Sequence, residues 1–385
     1  PARGGAMSKW PGKYVIGLTG NIGTGKSVVR RMLEHLGAYG IDADALVHRA
    51  IAKGAPGYQA VVKAFGTWIL GPDEQIDRNR LGRLVFSEPE ALVTLEKIVH
   101  PLVAQAVDFI VQHATQPVIV IEAIKLLESG MAKSCDKVMV TYAPPETQIA
   151  RLTQNRHMTE AEARQRITAQ PPQEQKMAAA GVVIRNIGTF EDTWRQVVTA
   201  WQKFAPAAAA EPEPVKKTST PQGELSVLRG APRHSAEIAD LINKLKQTGI
   251  PLTRADIMAA FGERAFMILQ VGPNLVGVIG WQVENLVSRT TDIYIDPSIP
   301  VAQALPVLVN EMERASKDLQ CEASLIFATP DLAQDESLWK GLGYERRTPD
   351  TLGVLAWQEA AQESMPANTV LLFKKLRQDR VLRPI

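Results

Sequence analysis

The run Tyr14-Val-Ile-Gly-Leu-Thr19, followed at once by Gly20-Asn-Ile-Gly-Thr-Gly-Lys-Ser27, decides the fold of the first half of the chain. The first six residues predict a buried strand, and the spacing of apolar residues over Ser27–Leu36 predicts a helix directly after the glycine-rich run. Glycines in such a turn let backbone N–H groups point inward around phosphate oxygens, and the helix N-terminus adds a partial positive charge. The run matches the P-loop pattern at every fixed position. We therefore predict a nucleotide phosphate site formed by Gly20, Asn21, Ile22, Gly23, Thr24, Gly25, Lys26 and Ser27.

Two side chains of this loop are expected to act on the nucleotide. Lys26 is placed to bridge the terminal phosphates of a nucleoside triphosphate, and the Ser27 hydroxyl is placed to hold its Mg²⁺. An ordinary glycine-rich turn would not need the complete spacing. The same loop serves small-molecule kinases, GTPases and motor ATPases, so the residues around the acceptor must distinguish these classes.

Length and composition describe a chain of two globular domains. The chain has 385 residues, of which 45% are hydrophobic and 22% charged, and its net charge is +2, which gives no sign of nucleic-acid binding. Its two cysteines, Cys135 and Cys321, support neither a disulfide framework nor a zinc site. No apolar run reaches the length of a membrane span, and the first residues lack the apolar core of a secretory signal. We expect a cytoplasmic protein without a membrane or nucleic-acid partner.

The segment 205–223 divides the chain, because it is rich in Pro, Ala and Thr and almost free of large apolar side chains. Residues 1–204 carry a net charge of +5 and residues 205–385 carry −3. Before the segment, apolar strands alternate with helical patterns, which predicts an α/β domain with a parallel sheet flanked by helices over residues 13–204. After it, the order of elements predicts an antiparallel α+β domain over residues 224–376, with residues 205–223 as a flexible linker.

Two carboxylates follow the second predicted strand, in the run Tyr39-Gly-Ile-Asp42-Ala-Asp44. Open α/β sheets bind ligands at the carboxyl ends of their strands, so a carboxylate here could accept the proton of an attacking hydroxyl or orient Mg²⁺. The alternative is that Asp42 or Asp44 caps the helix that follows. Both roles fit if one residue caps and the other takes part in the reaction.

Basic side chains on a later helix form a third candidate element. Arg151 and Arg156 lie on a predicted helix that starts near Pro145, where they could neutralise charge over the phosphate site and exclude water. A solvated basic helix face is the alternative. Lys125 lies in a loop after the strand PVIVIE, where it either meets the substrate or decorates the surface.

Residues 13–204 resemble the dephospho-CoA kinase family. The similarity is carried by several short motifs in the family's order and spacing: GLTGNIGTGKS, IDAD, FGTWIL, IDRNRLGRLVF, LEKIVHP, TQIARL, RITAQ and VIRNIGT. The resemblance implies a P-loop kinase with a core, a substrate domain and a lid, which transfers the γ-phosphate of ATP to the ribose 3′-hydroxyl of dephospho-CoA. It further implies Asp44 as general base with Lys26 and Arg156 as catalytic partners, Asn186 at the nucleotide, and Asp42, Arg78, His100, Lys125 and Arg151 at the acceptor. A structural role for His100, at a helix break before Pro101, is the alternative.

The chain departs from the family pattern at three places. Glu122 and Ile124 stand where the family usually has Asp and Pro, which predicts a reshaped acceptor loop. Asn155 stands where the lid has Arg, with Arg156 one residue later and about 100° further around the helix. Gly181 replaces an Asp before the strand VVIRN.

Residues 225–376 weakly resemble the acetyltransferase superfamily that uses acetyl-CoA, through the segments LVGVIGWQVENLVSRTTDIYID and LWKGLGYE. The stretch 296–303, DPSIPVAQ, stands where that family binds pyrophosphate through backbone N–H groups, yet it contains two prolines, no glycine and no cation. We expect a degenerate acetyltransferase-like domain kept for interaction or regulation. The alternative is a transferase that grips CoA or acetyl-CoA differently.

Two other functions compete with a dephospho-CoA kinase. The first is a kinase of another nucleoside or small metabolite, because the P-loop, the aspartate and lid arginines recur among such enzymes. The second is a protein in which nucleotide binding gates interactions of the second domain. Oligomeric state is open at this point.

Overall fold

The computed structural model describes residues 9–156, 158–204, 217–220, 223–246, 249–284 and 286–377. Within these ranges, only the backbone is described at residues 86, 155, 156, 217–220, 223 and 224.

A five-stranded, fully parallel sheet forms the centre of the first domain, with strand order β2-β3-β1-β4-β5. The strands are β1 (Tyr14–Thr19), β2 (Tyr39–Asp42), β3 (Val118–Glu122), β4 (Lys137–Tyr142) and β5 (Val182–Arg185). From β1 the chain crosses to β2 at one edge of the sheet, returns through β3 and then passes to β4 on the other side of β1. The P-loop therefore leaves the sheet at a switch point, where open α/β sheets bind ligands. The predicted α/β fold is confirmed.

Across residues 9–156 and 158–204, nine α-helices flank this sheet or extend from it, and two hydrophobic cores cover its faces. They are α1 (Lys26–His35), α2 (Ala43–Ala50), α3 (Tyr58–Phe65), α4 (Arg78–Ser87), α5 (Pro89–His113), α6 (Pro145–Arg156), α7 (Glu160–Thr168), α8 (Gln173–Ala178) and α9 (Phe190–Phe204). Short 3-10 helices occur at Thr67–Ile69 and Met131–Ser134.

The helix break predicted at His100-Pro101 is wrong, because α5 runs unbroken past Pro101. Proline inside a helix removes one hydrogen bond and leaves a carbonyl without its partner. Pro101 is exposed, as is Lys97 four residues earlier, so this carbonyl lies on the solvent side. The opposite side of α5 carries the buried residues Val103 and Val107, whose packing holds the helix together.

The second domain contains an eight-stranded mixed sheet with strand order β12-β13-β11-β10-β9-β8-β7-β6. The strands are β6 (Lys217–Thr220), β7 (Gly223–Arg229), β8 (Ala265–Val271), β9 (Asn274–Glu284), β10 (Val287–Ile295), β11 (Ala323–Ala328), β12 (Glu345–Arg347) and β13 (Val370–Lys375). The predicted antiparallel order holds for every pair but one. Strands β10 and β11 are parallel, because a helix connects them.

The part of the second domain that the structure describes contains six α-helices, and one core joins its sheet to the long helix after β10. They are α10 (Ser235–Lys246), α11 (Arg254–Ala260), α12 (Val301–Asp318), α13 (Pro330–Ala333), α14 (Glu336–Gly341) and α15 (Leu355–Ser364). Two 3-10 helices occur at Pro232–His234 and Pro349–Thr351. Of the range predicted as a flexible linker, residues 217–220 form the edge strand β6, and residues 205–216, 221 and 222 lie outside the described residues.

The two domains are packed together rather than merely tethered. The Tyr39 hydroxyl donates a 2.8 Å hydrogen bond to the Leu319 carbonyl, and His35 Nε2 lies 2.7 Å from the Phe261 carbonyl oxygen. Burial, with a smaller contribution from the nearby Arg229 charge, lowers the pKa of His35 to about 3, so its ring is neutral and donates through Nε2. Through the described ranges, no helix has both the length and the hydropathy of a membrane span.

Candidate active site

The P-loop joins β1 to α1 in a conformation that depends on glycine. Gly23 and Gly25 have φ values of +74° and +89°, in the left-handed region that residues with a Cβ rarely adopt. Alternation of such residues with right-handed ones turns successive N–H groups towards one point, which is an anion-binding geometry. A Cβ at Gly25 would in addition overlap the Asn186 amide nitrogen.

Side chains around the loop hold this conformation from outside. The Thr24 hydroxyl donates to the Asn21 carbonyl at 2.7 Å, and the Asn186 amide donates to the Thr24 carbonyl at 3.1 Å. The Thr193 hydroxyl on α9 donates to the other side of the Asn186 amide at 3.0 Å. Asn186, predicted at the nucleotide, therefore lies against the loop, which it supports through the backbone.

A buried carboxylate at the end of β3 faces the loop. Glu122 is 3% exposed, accepts a 2.8 Å hydrogen bond from the Ser27 hydroxyl and forms a 2.8 Å ion pair with Arg30. Burial alone would raise the pKa of Glu122, but the charges of Arg30 and Lys26 outweigh it and hold that pKa below its usual value. The carboxylate is therefore ionised beside the proposed metal ligand.

Sequence reasoning treated Glu122 only as a departure from a family pattern. Its signal is its place as the last residue of the apolar strand VIVIE, which pairs with the strand that carries the P-loop. Leu18 is opposite Glu122 in that pairing, so the register brings the carboxylate to the level of the loop.

The two aspartates after β2 have different partners. Asp42 caps α2 by accepting the Ala45 N–H at 2.9 Å, whereas Asp44 accepts the Ile124 N–H at 3.0 Å. Burial and then the Glu122 charge raise the pKa of Asp42 to about 6 against the opposing effect of Arg30. The alternative that one of the two aspartates caps the helix is confirmed for Asp42.

Asp44 carries the features of a proton acceptor. Burial raises its pKa above the usual value, while the Ile124 hydrogen bond and then the Lys26 charge act in the opposite direction. A carboxylate whose pKa is raised in this way is a stronger base than one in water. Asp44 follows β2 directly, at the carboxyl end of the sheet, and is close enough to the P-loop lysine Lys26 for its charge to lower the pKa of Asp44.

A second lysine, missed by sequence reasoning, lies under the acceptor loop. Lys176 on α8 is 3% exposed and donates a 2.6 Å hydrogen bond to the Ile124 carbonyl. The Thr19 hydroxyl donates to the same carbonyl at 3.1 Å. The Ile124 peptide groups are thus bonded on both sides, with Asp44 on its N–H and two donors on its carbonyl. The predicted acceptor loop after β3 is therefore fixed in place at Ile124, the residue that stands where the family usually has proline.

The helices α6 to α8 lie over the P-loop. Arg151 donates from Nη1 to the Gly23 carbonyl at 3.2 Å and from Nη2 to the Asn186 carbonyl at 2.9 Å. The Gln170 side-chain oxygen accepts the Ile22 N–H at 2.7 Å. Arg151 therefore bonds to the backbone of the P-loop and its neighbour rather than lying on a solvated helix face, and its predicted contact with the acceptor stays a prediction. The side chain of Arg156 lies outside the described residues, so its predicted role is a prediction still.

Comparison with known proteins agrees with this geometry over the first half of the chain. The family model described as dephospho-CoA kinase matches residues 14–192. A dephospho-CoA kinase of Geobacter metallireducens is 46% identical over 192 residues, which are 49% of this chain and 96% of the relative. One of Streptomyces avermitilis is 44% identical over 187 residues, which are 48% of this chain and 91% of the relative.

The chain belongs to the dephospho-CoA kinase family. Among solved structures, an acetyltransferase of the GNAT family from Staphylococcus aureus Mu50 aligns with 40% of this chain and 99% of its own length. The sequence identity of that alignment is 11% and its TM-score is 0.33.

Two residues that the family resemblance placed at the acceptor have contacts away from the P-loop, and a third is exposed. Arg78, at the start of α4, forms a 3.0 Å ion pair with Glu359 of the second domain. Lys125 forms a 2.7 Å ion pair with Glu96, and His100 is exposed on α5. Arg78 and Glu359 also line a cleft of about 330 Å³ between the domains.

The dephospho-CoA kinase domain has a counterpart to its P-loop in the second domain, the turn between β10 and α12. Each of residues 297–300 either has no N–H group or donates its N–H group to an acceptor within the turn. Pro297 and Pro300 have none, the Ser298 N–H donates to the Asp296 carboxylate at 2.9 Å, and the Ile299 N–H donates to the Asp296 carbonyl at 3.0 Å. Lys244 forms a 2.6 Å ion pair with the same carboxylate. The Asp296 carboxylate is therefore bonded both to the backbone of its own turn and to Lys244.

Proposed function

We propose that the first domain transfers the γ-phosphate of ATP to the ribose 3′-hydroxyl of dephospho-CoA, giving coenzyme A. The observation that carries the proposal is the position of Asp44, a buried carboxylate of raised pKa at the same sheet edge as a complete P-loop. The similarity to two dephospho-CoA kinases over nearly their whole length supports the choice of acceptor.

The loop and its neighbours would bind the nucleotide. Inward N–H groups and Lys26 would contact the phosphates, and the Ser27 hydroxyl beside Glu122 offers oxygen donors of the kind that Mg²⁺ prefers. When bound, Mg²⁺ supplies neutralisation of the phosphate charge. Glu122, ionised through Arg30 and Lys26, adds negative charge on the side of the loop where that cation is held.

Asp44 would take the proton of the attacking hydroxyl. Its carboxylate is fixed by the Ile124 N–H, so it presents one orientation to the acceptor. General-base catalysis of this kind contributes about 10²–10⁴-fold to a rate. Burial raises the pKa of Asp44, while the Ile124 hydrogen bond and then the Lys26 charge favour the ionised form that accepts the proton.

Arg151 would stabilise charge that develops on the transferred phosphoryl group. Its guanidinium reaches from α6 to the Gly23 and Asn186 carbonyls, at the mouth of the loop. A positioned cation in a site with little water stabilises a transition state more than it would in solution. Arg78, His100 and Lys125 are retained as candidate acceptor contacts on the family resemblance alone, and so is Arg156 as a lid cation.

We assign the second domain an interaction or regulatory role rather than acetyl transfer. The turn over residues 297–300 has no N–H group left for a pyrophosphate, because two are absent and two are bonded within the turn. The full-length protein with acetyl-CoA and a mixture of primary amines is expected to release no more thiol than the buffer. Steady release of thiol would overturn this assignment.

We place the protein in the cytoplasm, where coenzyme A chemistry and free thiols such as Cys135 and Cys321 both fit a reducing compartment.

The test of the kinase proposal is ATP turnover by the full-length protein with Mg²⁺, with and without dephospho-CoA, while the mass of the acceptor is followed. Acceptor-dependent ADP release, with a mass gain of one phosphate, is the expected result. Turnover with another alcohol in place of dephospho-CoA would assign a different small-metabolite kinase. ADP release without phosphorylation of any acceptor would favour a nucleotide-gated interaction protein.

A further inference from the structure

The helix that carries Asp44 is too short to hold its own position. α2 has eight residues, and isolated helices of that length are unstable in water, so tertiary contacts determine where it lies. Its first turn is fixed by the Asp42 cap and by the bond from Ile124 to Asp44. The question is what fixes its other end.

The last turn of α2 is held by the second domain. Arg49 forms a 2.7 Å ion pair with Glu322, and the two side chains are 7% and 1% exposed. Glu322 is itself held by the backbone, because its N–H donates to the Leu286 carbonyl at 2.7 Å and its carbonyl accepts the Leu376 N–H at 2.9 Å. The carboxylate therefore projects from a fixed point between α12 and β11.

The same short segment contacts two neighbours of α2. The Leu319 carbonyl accepts the Tyr39 hydroxyl at 2.8 Å, on the strand that leads into α2. Gln320 donates to the Ile110 carbonyl at 2.9 Å, on α5, the helix against which α2 packs. Residues 319–322 thus contact the strand before Asp44, the helix that bears it and the helix beneath it.

We propose that residues 319–322 of the second domain position the general base, with Glu322 holding α2 through Arg49 so that Asp44 keeps its orientation at the acceptor. The segment lies outside the matched family region, which ends at residue 192, so this support is contributed by the fused domain. The proposal rests on the role of Asp44 given under the proposed function. It makes the second domain a part of the kinase site rather than a separate module.

Burial makes the pair sensitive to the loss of one partner. A buried guanidinium that loses its carboxylate is strongly destabilising, because its desolvation is no longer compensated. In Glu322→Gln, we expect the last turn of α2 to move or open. A displacement of about 1 Å at a catalytic group can cost about 10²-fold in rate.

The experiment compares the full-length wild type with Glu322→Gln, Glu322→Asp and the matched control Glu191→Gln. Glu191 forms a 3.4 Å pair with Arg254 across the same two domains, but both side chains are about half exposed. For Glu322→Gln we expect kcat per folded enzyme to fall about 10–100-fold with the KM for ATP unchanged. Glu322→Asp, which keeps the carboxylate, should recover part of the loss, and Glu191→Gln should match the wild type.

Hydrogen exchange of residues 43–50 supplies a readout independent of turnover. Faster exchange in Glu322→Gln than in Glu191→Gln is expected. Wild-type kcat and wild-type exchange in Glu322→Gln would overturn the proposal, as would a fall in melting temperature with kcat per folded enzyme unchanged. If the wild type phosphorylates no dephospho-CoA, the proposed function fails, and the exchange rates still decide whether Glu322 holds α2. If Glu322→Gln does not fold, Tyr39→Phe removes a single hydroxyl from the same contact and should lower kcat by about two- to fivefold, as loss of one hydrogen bond does.

Discussion

Two strand-to-helix turns, the P-loop in the first domain and the turn between β10 and α12 in the second, differ in how their backbone N–H groups are used. In the P-loop, Gly23 and Gly25 have positive φ and turn backbone N–H groups towards one point. In the turn after β10, two prolines remove N–H groups and Asp296 accepts those that remain. A helix N-terminus follows each turn, so the helix dipole does not distinguish them. The residues of the turn itself do: glycines with positive φ in the P-loop, and two prolines with an accepting carboxylate in the second turn.

The surroundings of the two turns differ in the same sense. Lys26 and Glu122 place opposite charges beside the P-loop, as a site for phosphate and a cation requires. In the second turn, Lys244 forms an ion pair with Asp296, so the charge of that carboxylate is already neutralised within the protein. The comparison teaches that glycines can turn backbone N–H groups towards a ligand, whereas a carboxylate within the turn accepts those N–H groups itself.

The sharpest test substitutes one aspartate in each domain, one at the proposed active site and one in the second turn. Asp44→Asn should lower kcat by about 10²–10⁴-fold, because an amide cannot take the proton, while ATP binding is largely retained. Asp296→Asn, the matched control in the second domain, should leave kcat unchanged. Turnover of dephospho-CoA and calorimetric titration with ATP measure both quantities. Full activity of Asp44→Asn would break the comparison, since the chemistry would then lie elsewhere.

The next largest effect concerns the glycine that the P-loop requires. Gly25→Ala should weaken ATP binding by about tenfold or more, because alanine is strained at this φ and its Cβ overlaps Asn186. Gly37→Ala is the control, since Gly37 also has positive φ but a Cβ there meets no atom within 4 Å. Equal losses of ATP affinity in the two variants would show that general backbone strain, rather than the shape of the loop, is responsible.

A smaller effect is expected on the pH profile. Ile124→Pro removes the N–H that stabilises the charged form of Asp44, so the pKa of Asp44 should rise. Since the base works only when ionised, the acid limb of kcat should then move measurably to higher pH. Ile124→Val keeps the N–H and should keep the limb. An unmoved limb in Ile124→Pro, with kcat measurable, would exclude Asp44 as the group that titrates.

The smallest effect lies in the second turn. The Lys244 and Ser298 hydrogen bonds lower the pKa of Asp296 to about 2, so this carboxylate stabilises the folded state above about pH 4 and loses that contribution as the pH falls towards 2. Lys244→Ala should cost at most about 1 kcal/mol at neutral pH, because Lys244 is largely exposed. The difference in unfolding free energy between the variant and the wild type should shrink below pH 4. A difference that grows with acid would contradict the assigned pair.

The sequence carries much of the first domain because its signals are local. Glycine spacing gave the P-loop, and the alternation of apolar runs with helical patterns gave the parallel sheet. Asp42 and Asp44 could be placed because carboxyl ends of parallel strands share an edge. Which of the two caps α2 could not be predicted, because it depends on which carboxylate accepts the hydrogen bond from the Ile124 N–H.

The parts that sequence reasoning missed depend on contacts between distant segments. Glu122 acquires its role from the register of β3 against β1, and Lys176 acquires its role from the return of α8 under the acceptor loop. The contact between Arg49 and Glu322 joins residues 273 positions apart. Composition and periodicity describe single segments of the chain, so they cannot predict contacts between segments that are far apart in the sequence.

The buried face between the domains has a consequence for how this chain gains and loses its structure. A separate first domain would present Tyr39 and Arg49 to water, and the His35 ring would lose the Phe261 carbonyl. The two halves should therefore melt in a single calorimetric transition rather than in two, and a chain ended near residue 204 should melt at a lower temperature than the whole. A single transition would show that two chain segments with separate cores form one cooperative folding unit.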